Sequence, residues 1–250
     1  MADLKKDELV AVADIAVTGD VFLVVGPEQL KLRVHSLILK TTSKPFTAIL
    51  GPNWTKDHDQ PNIDKPMEIL LPEDNAISIK YICAITHYQN QMVPETLAAQ
   101  DVLEIAITAD KYDVVDALAL AIRPWLRACD KSAAELMLLA TAAYLFRSPQ
   151  AFREITKALV LDYDGSYLPL LTEQIEGIID WRIICRLQVW RYVSVVEKLW
   201  WEGLGFGPRD PEQWSQDHGL AAMDADPLWT YVHSFSSIRA FNLSTGGYYG

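Results

Sequence analysis

The stretch "LKLRVHSLILKTTSKPF", Leu30 to Phe46, decides the fold. Leu30, Leu32 and Val34 alternate with Lys31, Arg33 and His35, a period of two that reads as a strand with one wet face. At His35 the pattern changes. Ser36 suits the start of a helix running toward Lys44, and Pro45 then breaks or restarts it. Just upstream, Val21, Phe22, Leu23, Val24 and Val25 form a β-rich run that is apolar on both faces and therefore central. "GPEQ", residues 26–29, turns the chain between the two runs, which predicts a hairpin.

Working outward, "LGPNWTKDHDQPNIDKP" is polar and proline-rich and reads as a loop, and "MEILLP" as a short strand. "EDNAISIKYICAITHYQN" opens with acidic residues and puts Ile77, Tyr81, Ile82 and Ile85 on one helical face. Val102, Ile105, Ala106 and Ala109 mark a further helix. Val115, Leu118, Ala119 and Ile122 mark another, which Pro124 ends or bends. The order is strand, strand, helix, strand, then helices: an α+β domain with clustered helices against a small sheet. After residue 127 the strand signals stop. Ser132 with Glu135 reads as a capping box, and Ser148 caps a helix that Pro149 begins. Residues 172–201 read as one long helical stretch. Ile175, Ile178, Ile179, Ile183, Trp190 and Val193 form its stripe, with Arg182 and Arg186 intruding. The expected divisions are a helical segment 1–17, an α+β domain 18–127, an all-helical extension 128–202 and a mostly irregular tail 203–250.

Half of the 250 residues are hydrophobic, enough for a substantial core. The net charge of −11 is spread over both halves, with no Lys/Arg cluster to neutralise phosphates. That argues against nucleic acid and an anionic membrane surface as partners. Cys83, Cys129 and Cys185 are odd in number, widely spaced and in apolar surroundings, which predicts buried thiols in a reducing compartment. No apolar run approaches a membrane span, and the N-terminus lacks a signal-peptide core. The expectation is a soluble protein of cytoplasm or nucleus.

Motifs for chemistry fail on their spacing. "DYDGSYLPLLTE" has oxygens where a calcium loop needs them, but Tyr167 stands where the sharp turn requires glycine. "GLGFGP" lacks the preceding strand and the following GKS/T of a phosphate cradle. "LWWEGLGF" reads as core or interface packing, with an aromatic ligand cage as the sharper alternative. No catalytic residue, metal ligand or cofactor site is expected. His35 has no nucleophile–carboxylate partner in its neighbourhood of the sequence, so it reads as a packed histidine and not a ligand.

"GDVFLVV", "VHSLILKTTSKPF", "EILLPED" and "ADKYDVVDAL" resemble, in order and spacing, the BTB/POZ domain. The closest likeness is to the fungal proteins of that family that carry a helical C-terminal extension. The resemblance covers about residues 18–126. It lays the family's core motif on His35, Ile38, Leu39, Ser43 and Phe46, and the aspartate of its first strand on Asp20. It implies that His35 fixes the strand–helix junction and that Ser43 and Phe46 stitch the helix to its neighbour. Transcriptional members often pair the aspartate with a basic residue after the histidine, where this chain has Ser36. Members that recruit cullin ubiquitin-ligase scaffolds often show hydrophobe–x–Glu in the following loop. Here Trp54, Thr55 and Lys56 stand there, with the charge reversed.

The resemblance implies a non-enzymatic interaction module that forms homodimers and presents protein partners. A substrate adaptor for a cullin-type ubiquitin ligase is the alternative, and an enzyme with a cleft in the helical half ranks lower. Leu9, Val12, Ala13 and Ala16, at helical spacing, form a small apolar stripe suited to self-association. The alternative is that the stripe folds back on its own domain.

Overall fold

The structure, a computed structural model, describes residues 12–51, 66–189 and 191–192. It is an α+β fold. Four strands, β1 (Val12–Asp14), β2 (Val21–Val25), β3 (Leu30–Val34) and β4 (Met67–Leu71), form one sheet in the order β1-β3-β2-β4. β2 and β3 are the hairpin, antiparallel with Val21 opposite Val34 and Val25 opposite Leu30. Its turn is held by the Gln29 N–H donating to the Gly26 carbonyl, and Gly26 there has a φ of 73°, a conformation open to glycine at no steric cost. β4 lies parallel to β2 and β1 parallel to β3, so the sheet is mixed. β2 is central, as its two apolar faces require. Leu32, Leu23 and Ile69 share one register row and are buried. On the opposite face an ion pair of 2.6 Å between Lys31 and Glu68 joins the strands that flank β2.

β1 corrects the helical reading of the N-terminal segment over its described part. Val12 to Asp14 hydrogen-bond along β3, whose edge would otherwise present unpaired backbone groups, and only then do Ile15 and Ala16 turn inward to be buried. Val12, Ala13 and Ala16 therefore share no helical stripe. Leu9 lies outside the described residues, as does the loop carrying Trp54, Thr55 and Lys56.

The helices are α1 (Ser36–Thr42), α2 (Lys44–Ile49), α3 (Ala76–Thr86), α4 (Ala99–Lys111), α5 (Val115–Leu118), α6 (Ala133–Leu145) and α7 (Pro149–Asp162). A short α8 (Glu173–Glu176) precedes a helix over residues 181–189. α1 ends at Ser43 and α2 restarts with Pro45 in its first turn, where the missing N–H costs nothing. α3 buries Ile79, Ile82, Cys83 and Thr86, while Ile77 is exposed. Isoleucines surround this helix, so two stripes of equal spacing compete, and packing selects the one a fraction of a turn from the sequence reading. α4 buries Val102, Ile105, Ala106 and Ala109 as its periodicity requires. The capping box of Ser132 and Glu135 opens α6.

The chain divides into two compact units, residues 1–159 and 160–250. The first takes in α6 and most of α7, which the sequence reading assigns to the extension. The reason is visible in α6: Leu136, Met137, Leu139, Ala140, Ala142, Ala143 and Leu145 are buried round its circumference. A helix apolar on all sides is a core element, and its contact with α4 is the most extensive between any two described elements.

In the second unit, residues 172–192 form two helices and not one. Thr172 caps α8 by accepting the Ile175 N–H, and Asp180 accepts the Arg182 N–H to start the next. Gly177 and Asp180 favour a break there because glycine weakens a helix interior and aspartate prefers its N-cap. Ile175, Ile179 and Ile183 are buried, whereas Trp190 and Val193 lie outside the described side chains. Residues 203–250 are outside the described residues as well. Two of the three cysteines differ from expectation. Cys83 is buried, but Cys129 and Cys185 are exposed, at turn and helix positions that face away from the core. Among the described residues no helix is long and apolar enough to cross a membrane.

Candidate functional site

The motif residues of the sequence converge where β3 hands over to α1. His35 is the N-cap of α1 by backbone geometry, yet its side chain makes no capping bond. The cap comes from 16 residues upstream. Asp20, just before β2, accepts the Ser36 N–H on Oδ1 and the Ser36 hydroxyl on Oδ2, both at 2.7 Å. Ser36 is thus the first residue of the helix and donor to a remote cap, which corrects its reading as the cap itself. A carboxylate at a helix N-terminus also meets the positive end of the helix dipole. Burial pushes the Asp20 carboxyl upward, but the two bonds from Ser36, its own backbone N–H and the nearby His35 outweigh that and hold it below its ordinary value.

His35 is half-buried, with Nε2 3.3 Å from the Thr18 hydroxyl. Its backbone N–H donates to His87 Nε2 at 3.0 Å, and the two imidazoles stack with centroids 6.0 Å apart. His87 is the C-cap of α3 and buried. Its Nδ1 lies 2.8 Å from the Cys83 carbonyl. Burial, above all, lowers its pKa; the Cys83 carbonyl opposes that and His35 adds to it.

One helical turn on, Leu39 is buried and Ile38 half-buried. Ser43 is fully enclosed between α1 and α2. Its hydroxyl donates to the Tyr112 carbonyl at 2.6 Å and accepts the Phe46 N–H at 3.1 Å, so a single oxygen caps α2 and ties it to the end of α4. The Phe46 ring stacks on Tyr112 with centroids 4.6 Å apart. The Tyr112 hydroxyl in turn donates to Asp74 Oδ2 at 2.8 Å, and Lys111 pairs with Asp74 Oδ1 at 2.6 Å. Burial first, then the Asp74 carboxylate, pushes the Tyr112 phenol well above its usual range. Burial alone pushes the Cys83 thiol up to about 12.

Asp20, His35, Ser36 and His87 therefore form one cluster, and Ser43, Phe46, Tyr112 and Asp74 a second at the other end of α1. His87 and Asp74 escape a reading of the sequence because their partners lie 52 and 37–38 residues away, with no local spacing to announce them. These polar atoms bond to backbone groups and to one another, which fixes the helix pair on the sheet.

Around the junction the surface is apolar at separate points. Val17, in the link from β1 to β2, is 75% exposed, and Leu37, on the outer side of α1, is 69% exposed. Val12 is half exposed on β1. No protein-family model matches the chain, and no curated protein matches it.

Proposed function

We propose that the chain is a non-enzymatic interaction module of the BTB/POZ kind, which self-associates and presents protein partners from the cytoplasm or nucleus. The observation that supports it is the engagement of the junction. Asp20 holds Ser36, His87 holds His35, and Ser43 holds both Tyr112 and α2. Groups so committed serve to position α1 against the sheet. The order of elements supports the same reading: a hairpin, two short helices, a third strand parallel to the first, then clustered helices. Three free cysteines are in keeping with a reducing compartment.

Self-association draws on the outer side of α1 and the β1–β2 link, where Leu37 and Val17 stand exposed. Large apolar side chains at a surface gain by burial in a homodimer, whose interfaces are more apolar than the rest of the surface. The test is sedimentation velocity of the intact protein and of the Val17→Asp/Leu37→Asp double variant at micromolar concentrations. A dimer that dissociates in the variant is expected. A monomeric intact protein, or a dimer that the double variant leaves unchanged, overturns the surface assignment.

A further inference from the structure

The two ring nitrogens of His87 keep different company. Nε2 faces the His35 backbone N–H at 3.0 Å, and an amide N–H can only donate. Nδ1 faces the Cys83 carbonyl at 2.8 Å, and a carbonyl can only accept. One state of the ring satisfies both contacts: neutral, with its hydrogen on Nδ1. A proton on Nε2 would set N–H against N–H, leave the His35 amide without its acceptor, and place an imidazolium 6.0 Å from the His35 ring.

We propose that the His35–His87 contact is an acid-operated latch, which holds the start of α1 to the end of α3 while His87 is neutral and opens when His87 takes up a proton.

The surroundings favour that behaviour. On its own helix the ring meets the Cys83 carbonyl and, at 3.3 Å, the Thr86 hydroxyl. From the junction it meets His35, whose charge would oppose a second one. Asp20, which feels the charge of His35, is bound to Ser36. On β3, Lys31 pairs with Glu68 and Arg33 donates to the Gly19 carbonyl; on α1, Lys40 is half-buried. On α4, Glu104 accepts from Gln100, Asp110 faces Arg147 and Lys111 faces Asp74, while Asp101 and, on α5, Asp116 are exposed. The ring's own polar contacts are the His35 amide, the Cys83 carbonyl and the Thr86 hydroxyl, and none of these carries a negative charge to stabilise its cation. Burial then holds the folded ring below the ordinary histidine value of 6.5.

The sign follows from linkage. The unfolded chain protonates His87 near 6.5 and the folded chain only at lower pH, so protons favour the unfolded or opened form. The latch contributes fully above about 6.5, and between the two pKa values the closed-to-open ratio falls by up to about tenfold per pH unit.

The test uses the intact protein. NMR titration of the His87 ring and amide exchange of His35 at pH 7.5 and 5.0, corrected for intrinsic exchange, read the latch directly. A ring midpoint below 6.5 with a loss of His35 amide protection at pH 5.0 relative to pH 7.5 is expected. In His87→Gln, the side-chain carbonyl can still accept the His35 N–H and cannot be protonated in this range, so the loss of stability between pH 6.5 and 5 should shrink. A His87 midpoint at or above 6.5, or His35 protection equal at both pH values, overturns the proposal. Both readouts come from the native chain and decide the matter even if the variant does not fold.

Discussion

Removal of the Asp20 carboxylate is the sharpest test of how α1 is held. Asp20→Ala deletes the acceptor of two bonds at 2.7 Å, one from the Ser36 N–H and one from its hydroxyl. Ser36 is only 8% exposed, so its donors would be left in a poorly hydrated site. Hydrogen bonds to a charged group contribute about 1.5–3 kcal/mol each. Asp20 itself is half-buried, so water replaces part of what is lost. The two bonds also share one side chain and do not add fully. An overall cost of about 2–4 kcal/mol follows, equivalent to a fall in Tm of roughly 4–16 °C for a chain of this size. Asp20→Asn keeps an acceptor for the N–H and should lose about half as much. Ser36→Ala removes the hydroxyl bond alone. A double-mutant cycle between the two positions in urea melts should return a coupling of about 1 kcal/mol or more.

The same carboxylate sets a pH signature. Its folded pKa lies below the ordinary aspartate value of 3.8, so its contribution is complete above that pH and is lost as pH falls through the folded value. The gap between native and Asp20→Ala stability should therefore stay constant from neutrality down to about pH 4 and close only in stronger acid. The His87 effect begins near 6.5, so the two are separable in one titration. An Asp20→Ala protein within about 0.5 kcal/mol of native, or a coupling energy near zero, would refute the capping argument.

Two further outcomes bear on the other end of α1 and on partner choice. Ser43→Ala removes a buried hydroxyl that serves the Tyr112 carbonyl and the Phe46 N–H together, so urea melts should show a loss of about 2–3 kcal/mol; a loss under about 0.5 kcal/mol would mean that the α2 cap is dispensable. Lys56 reverses the charge that cullin-recruiting BTB proteins often carry, so the native chain should bind a cullin N-terminal fragment weakly or not at all in calorimetry. Lys56→Glu should then gain about 2–5 kcal/mol, roughly thirtyfold to several thousandfold in affinity. Tight binding by the native protein would promote the ligase-adaptor reading.

Local signals in the sequence carried as far as local physics does. The hairpin was legible because alternation in Leu30–Val34 and the double-faced run Val21–Val25 each have one stable solution. The break at Ser43 and Pro45 and the capping box at Ser132 were legible because caps are chemistry between near neighbours. The strand over Val12–Asp14 was not. Three residues exert almost no period, and what makes them a strand is the open edge of β3. The rotation of α3 was likewise undecided by its isoleucines. The assignment of α6 to the first unit depended on what covers its fully apolar circumference, which is a tertiary fact. Of the junction, His35, Ser43 and Phe46 were visible as residues, while His87 and Tyr112 became their partners, and Asp74 the partner of Tyr112, only through contacts spanning 38 to 69 positions.

Ser36 gives the junction its particular character. In transcriptional members of the family that the sequence resembles, a basic residue often stands at this place and joins the aspartate in a charged pocket. A guanidinium there would balance the carboxylate and leave N–H groups directed outward. Here the carboxylate is met by a backbone amide and a hydroxyl of the same residue, both short and both internal. The hydroxyl has one hydrogen, and it is committed to Asp20, so Ser36 offers a visitor no donor. Satisfaction by neutral donors keeps the charge of the half-buried Asp20 without a counter-ion. Under the proposed interaction-module reading, partner recognition would fall instead to the apolar surface of α1 and the β1–β2 link, where Leu37 and Val17 are exposed. A carboxylate engaged by a buried serine and an exposed leucine one residue later are two sides of one arrangement: fixing Ser36 inward fixes Leu37 outward.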